Sequence, residues 1–178
     1  MKPIGLIGRK QVGKSTAASH LESKGYTRLS FKTPLVEEIK ANFPTLLEEI
    51  RQDWPADTID QLFEEKPPLM RALLQNYGTD VRRKDDANYW VKQWIKRHEL
   101  FATDAIVADD VRFINEAAAI KDLGGIIIKL ERPDILGTDM HVSETEHLQI
   151  TPDYTINVNK GEHDKLYAEL DRILAELK

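Results

Sequence analysis

The chain has 178 residues, 41% hydrophobic and 31% charged, with a formal net charge of −5. This predicts one domain, 1–178, with a real core, and the acidic balance argues against binding a polynucleotide. Cysteine is absent, which excludes disulfides and thiolate metal sites. No run is apolar enough to span a bilayer, and Met1-Lys2-Pro3-Ile4 meets Gly8 and charge too soon for a signal peptide, so a cytoplasmic location is expected.

The first expected strand covers 3–7. It runs into Gly8-Arg9-Lys10-Gln11-Val12-Gly13-Lys14-Ser15, a full G-x-x-x-x-G-K-[ST] phosphate loop, and then into a helix expected over 14–24. The strand–loop–helix setting gives the motif its meaning. Gly8, Lys10, Val12, Gly13 and Thr16 would frame an anion with backbone N–H groups, with Lys14 on the β- and γ-phosphates of ATP and Ser15 on Mg²⁺. Further strands are expected over 28–31, 105–108, 125–130 and 154–158. Further helices are expected over 34–42, 67–77, 87–101, 115–123 and 162–177. The alternation implies a P-loop NTPase three-layer α/β/α fold with a five-stranded, mainly parallel sheet.

Residues 43–101 interrupt that rhythm, hold Trp54, Trp90 and Trp94, and read as a helical insertion. It would either form the wall of a second substrate site or simply pack. Arg82-Arg83-Lys84 is either a solvated helix end or an anion site. The strand over 105–108 ends in Asp109-Asp110, with Arg112 two residues on. A carboxylate at a strand tip suits Mg²⁺ or a substrate proton, and Arg112 suits a phosphate, although Asp at such a place also caps helices. The stretch 132–152 holds Arg132, Asp139, His141, Ser143, Glu144 and Glu146 and is long enough for a lid. Asn159, in an Asn/Gly turn before the last helix, either passes beside a purine or is an ordinary turn residue.

Taken together, the chain resembles the phage deoxynucleoside monophosphate kinases, within the P-loop nucleoside monophosphate kinase group. The likeness rests on the phosphate loop, Arg71-Ala72-Leu73-Leu74-Gln75, Gly78-Thr79-Asp80, Arg83, Trp90-Val91, Asp110-Val111-Arg112-Phe113, Asn115-Glu116, Arg132, His141, Ser143-Glu144 and Asn159. It implies transfer of the ATP γ-phosphoryl group to a deoxynucleoside 5′-monophosphate. Lys14, Asp110 and Arg132 would be catalytic, Arg83, Arg112 and Trp90 would hold the acceptor, and Ser15 and Asp110 would hold Mg²⁺. The insertion 43–101 would bind the acceptor and 132–152 would close as a lid. The partners implied are small nucleotides, with no polynucleotide and no membrane. A homodimer is allowed for, and the compartment is the host cytoplasm if the gene is a phage's. Tyr77, Tyr89 and Trp90 are candidates for excluding a 2′-hydroxyl. Two features depart from the pattern: Gln11 stands where related loops carry arginine, and no arginine follows Arg132 before Tyr154. The other readings are a kinase of another small acceptor, such as dephospho-coenzyme A, and a nucleotide-binding switch without catalysis.

Overall fold

A computed structural model of the chain describes residues 1–101, 103–133 and 146–177. Five apolar runs become strands: β1 (Ile4–Ile7), β2 (Thr27–Arg28), β3 (Ile106–Ala108), β4 (Ile126–Glu131) and β5 (Tyr154–Asn157). They form one sheet in the order β2-β3-β1-β4-β5, and every neighbouring pair is parallel. β1 is central, with Ile4 opposite Val107 on one side and Ile126 on the other. All four of its residues are buried. A strand covered on both faces needs no polar alternation, which is why Ile4-Gly5-Leu6-Ile7 has none.

Two layers of helix cover the sheet. On one face Ile4, Leu6, Ile126, Ile128 and Leu130 meet Leu21 of α1 (Lys14–Ser23) and Leu166, Leu170 and Ile173 of α8 (His163–Glu176). On the other lies α7 (Ile114–Asp122). There Gly5 explains itself: a Cβ would come within 2.7 Å of both Ile120 Cδ1 and Ile127 Cδ1. The fold is thus the three-layer α/β arrangement expected from the alternation of strands and helices.

The chain divides into two compact units, Met1–Phe31 with Ile95–Lys178, and Lys32–Trp94. The second is helical: α2 (Lys32–Asn42), α3 (Pro44–Asp53), α4 (Ile59–Glu65), α5 (Pro68–Gln75), a π-helix (Asn76–Arg83) and the first part of α6 (Tyr89–His98). Its core joins Ile39, Leu47, Ile50, Leu62, Met70, Tyr77 and Trp90. Proline opens α3 and α5, where its missing N–H costs nothing. The Thr58 hydroxyl caps α4 by accepting from Gln61 N at 3.3 Å.

Several elements differ from expectation. α3 and α4 add two short helices to those expected. The helix expected over 67–77 ends at Gln75 and widens into the π-helix. The strand expected over 28–31 is Thr27–Arg28. Leu29 N still donates to Val107 O at 3.0 Å, but Phe31 N donates to Asp110 Oδ1 at 2.8 Å, so a side chain ends the ladder. Most of 132–152, including Asp139, His141, Ser143 and Glu144, lies outside the described residues; a short 3₁₀ helix, Glu146–Gln149, follows. Among the described residues no helix is long and apolar enough to cross a membrane.

Gly5→Ala should destabilise the fold by about 1–3 kcal/mol, because two isoleucine ends must move. Urea unfolding measures this, and an unchanged midpoint would show that α7 does not press on β1.

Candidate functional site

The loop between β1 and α1 is shaped by residues that tolerate unusual backbone. Gly8 has φ +140°, and a Cβ there would lie 2.5 Å from Leu130 O. Gly13, at φ +107°, is the N-cap of α1. Gln11 also takes a positive φ of 64°, uncommon for a residue with a side chain. Val12 is buried and its N–H donates to Arg9 O at 3.3 Å, closing the loop on itself. No side chain caps α1, and its first turn has no acidic residue. Its first amides and its dipole therefore favour an anion. Ser15 and Lys10 are exposed, and Thr16 is half-buried.

Lys14 is the electrostatic centre. Its ammonium donates to Gly8 O at 2.6 Å and Arg9 O at 2.9 Å. Burial lowers its pKa to about 8, with Arg112 adding repulsion and Asp109 and Asp110 opposing the shift. Those carboxylates follow directly from β3. Asp109, 9% exposed, accepts from Ser30 Oγ at 2.7 Å and Arg28 Nη1 at 3.3 Å. Arg28 also donates to Ser15 O, Ser19 Oγ and Glu22 Oε2, tying α1 to the tip of β3. Asp110 is held by Phe31 N. Glu116, 3% exposed, accepts from Arg112 N at 2.8 Å and Phe113 N at 3.1 Å, so a buried carboxylate at the start of α7 fixes the backbone of Arg112. Arg132 reaches the loop, donating from Nη1 to Gln11 O at 2.9 Å.

His147 had no distinguishing signal in the sequence, since Glu146-His147-Leu148 reads as ordinary loop. It is 3% exposed, and its Nε2 is buried without a hydrogen-bond partner among the described residues. Burial, followed by Lys14, Arg112, Lys129 and Arg9, drives its pKa down to about 4. Four cations therefore act on one buried imidazole.

The other expected site residues lie elsewhere. Asn159 donates from N and Nδ2 to the two carboxylate oxygens of Glu162, both at 2.9 Å, an arrangement that shapes the turn into α8. Arg83 and Trp90 belong to the helical unit. Arg83 donates to Ala87 O at 3.1 Å. Trp90 is 3% exposed, and its indole N–H donates to Gly78 O at 2.8 Å. The hydroxyls of Tyr77 and Tyr89 both donate to Glu38.

The family model described as deoxynucleotide monophosphate kinase matches residues 56–170. A protein of Acanthamoeba polyphaga mimivirus, assigned as a deoxynucleotide monophosphate kinase, is 34% identical over 182 residues, covering 94% of this chain and 93% of its own. The chain belongs to the deoxynucleotide monophosphate kinase family. The kinase is thus a phosphotransferase acting on nucleotides, which sets aside a switch without catalysis. Its fold is shared by TT1252 from Thermus thermophilus, with a TM-score of 0.53 at 18% identity over 99% of this chain and 98% of that one.

The low pKa of Lys14 is also a statement about stability. Between about pH 8 and its ordinary 10.5, the unfolded chain holds a proton that the folded kinase has released. Stability relative to Lys14→Met should therefore rise with pH across that window, by on the order of 3 kcal/mol. Paired urea titrations check this, and a constant difference from pH 7 to 11 would contradict the burial of the ammonium.

Proposed function

We propose that the kinase transfers the γ-phosphoryl group of ATP, with Mg²⁺, to a deoxynucleoside 5′-monophosphate, giving the diphosphate. The observation that carries this reading is the half-buried Lys14 ammonium at the phosphate loop, with Arg112, Asp109 and Asp110 acting on it. In this reading 8–16 cradles the donor phosphates, with Gly8, Lys10, Val12, Gly13 and Thr16 framing them. Asn159 shapes the turn beside the donor base. Lys14 exchanges two carbonyl acceptors for phosphate oxygens, which are stronger partners because they are charged. Arg132, already bonded to the loop, neutralises charge on the moving group. Arg83 and Arg112 take the acceptor phosphate, and Trp90 acts by holding Gly78. The segment 43–101 serves the acceptor and 132–152 closes over the phosphates, in a cytoplasmic protein.

The oxygen donors fit Mg²⁺. This ion takes few protein ligands and fills its shell with water and phosphate. An exposed Ser15 hydroxyl and the Asp110 carboxylate are such ligands, whereas Asp109 is engaged by Arg28 and Ser30. When bound, the ion would offset the negative charge of the phosphates. Transfer itself asks little covalent help of the protein; positioning and positive charge do most of it.

Lys14→Ala should cost about 3–4 kcal/mol of transition-state stabilisation, a fall of roughly 10²–10³ in transfer. Arg83→Ala and Arg112→Ala should raise the KM for the monophosphate more than about tenfold while leaving that for ATP near normal. A coupled ADP-release assay measures both. Near-normal turnover in folded Lys14→Ala would falsify the assignment.

A preference for deoxyribose follows from leaving a buried 2′-hydroxyl unpaired, at about 1–3 kcal/mol. Tyr77 and Tyr89 have both hydroxyls committed to Glu38, so neither is spare to receive it. Values of kcat/KM for matched deoxy and ribo monophosphates should differ by about tenfold or more, and equal values would remove the deoxy restriction.

A further inference from the structure

Arg71 and Gln75 carry part of the family likeness, yet nothing above gives them work. On α5, Pro68, Arg71, Ala72 and Gln75 are spaced i, i+3, i+4 and i+7, which places them on one helix face. With Lys66 they line a cavity of about 390 Å³, inside the range of about 300–1,000 Å³ usual for small-molecule sites. Lys66 stands at its edge in a left-handed conformation, φ +53°, where α4 ends. The proline ring and the alanine methyl provide apolar surface, and the polar groups come from the three longer side chains. Among the described residues the Arg71 guanidinium and the Gln75 side-chain amide make no hydrogen bond or ion pair. Two planar polar groups, one helical turn apart, are thus left beside apolar surface.

A planar heteroaromatic ring with a polar edge suits such a place. We propose that this cleft receives the base of the acceptor nucleotide, with Arg71 and Gln75 reading its edge; the proposal rests on the kinase reading above. Gln75 supplies an acceptor and two donors. Each base presents a donor next to an acceptor on its pairing edge, so an amide that turns over satisfies any of them. That predicts tolerance for several bases rather than strict choice. Gln75 is the last residue of α5, and the π-helix that follows at once ends at Arg83. The base reader and the cation proposed for the acceptor phosphate therefore lie on one continuous helical run, Pro68 to Arg83.

The test is calorimetric binding of dGMP, dAMP, dTMP and dCMP to the full chain and to Gln75→Glu and Arg71→Ala, with transfer assayed alongside. A glutamate only accepts hydrogen bonds. It matches the two adjacent donors on guanine's pairing edge and mismatches the other three bases. Gln75→Glu should therefore shift the affinity ratio towards dGMP by at least about tenfold, with ATP binding unchanged. Arg71→Ala should weaken the monophosphates unequally. Ala72→Leu, which fills the floor, should weaken all four without touching ATP. If Gln75→Glu and Arg71→Ala leave the order and spacing of base affinities as in the parent, the cleft is not the base site. If the parent binds monophosphates with altered order in the variants but transfers nothing to them, the cleft stands and the proposed reaction falls.

Discussion

Holding a lysine ammonium partly out of water at the end of β1 is the constraint around which the sheet unit is organised. Removing a cation from water is unfavourable, and Arg112 adds to that cost. What keeps Lys14 in place is a set of fixed acceptors and charges. Gly8 O and Arg9 O hold the ammonium, and they stand where they do because Gly8 can pass within touching distance of Leu130 O. Asp109 and Asp110 offset the burial, and each is itself pinned, one by Ser30 and Arg28, the other by Phe31 N. A preorganised cation with weak neutral partners is well placed to gain when charge builds on a phosphate, since no reorganisation is left to be done.

The helical unit shows the same economy in another form. A π-helix is less favourable than an α-helix and persists where neighbours hold it, often at functional sites. Here Glu38 is the holder. Its carboxylate accepts from Tyr77, Tyr89 and Arg82, and the Arg82 guanidinium lies 5.2 Å and 5.0 Å from the centres of the two tyrosine rings. Gly78 completes the arrangement. Its carbonyl takes the Trp90 indole, and a Cβ there would stand 3.0 Å from Leu35 Cδ2. Arg82 is thereby committed to structure, while the adjacent Arg83 turns to Ala87 O.

That split explains where sequence reasoning stopped. The phosphate loop was legible because its glycine requirements are local and show as spacing. The strands were legible as short apolar runs bounded by turn residues. The end of β2 was not, because it is set by Asp110, some eighty residues away. Nor was the π-helix, whose i→i+5 bonding leaves no trace in a 3.6-residue periodicity. Arg82-Arg83-Lys84 read as three equivalent cations, and only the position of Glu38 tells the first from the second. The same carboxylate accounts for Tyr77 and Tyr89, and near-complete burial accounts for Trp90, so these aromatics build the unit's interior. His147 was invisible for a related reason: a histidine is given meaning by what surrounds it, and the surrounding cations come from 9, 14, 112 and 129.

The overall charge of −5 and a site built to attract phosphates are compatible because they are set at different scales. Net charge governs solubility and long-range association. The field at the phosphate loop is made by a few groups gathered at the carboxyl ends of adjacent parallel strands. Arg9 and Lys14 follow β1, Arg112 follows β3, Lys129 sits within β4 and Arg132 just after it. Parallel strands deliver this without any clustering in the sequence, since every strand of the sheet ends on the same side. Much of the acidic excess is spent far from that edge, in exposed pairs such as Glu169 and Glu176 with Arg172, each worth little to stability. Polynucleotide binding would need cations spread along a surface. Binding a single nucleotide phosphate needs them converged on one point, and convergence at strand ends is what this topology supplies.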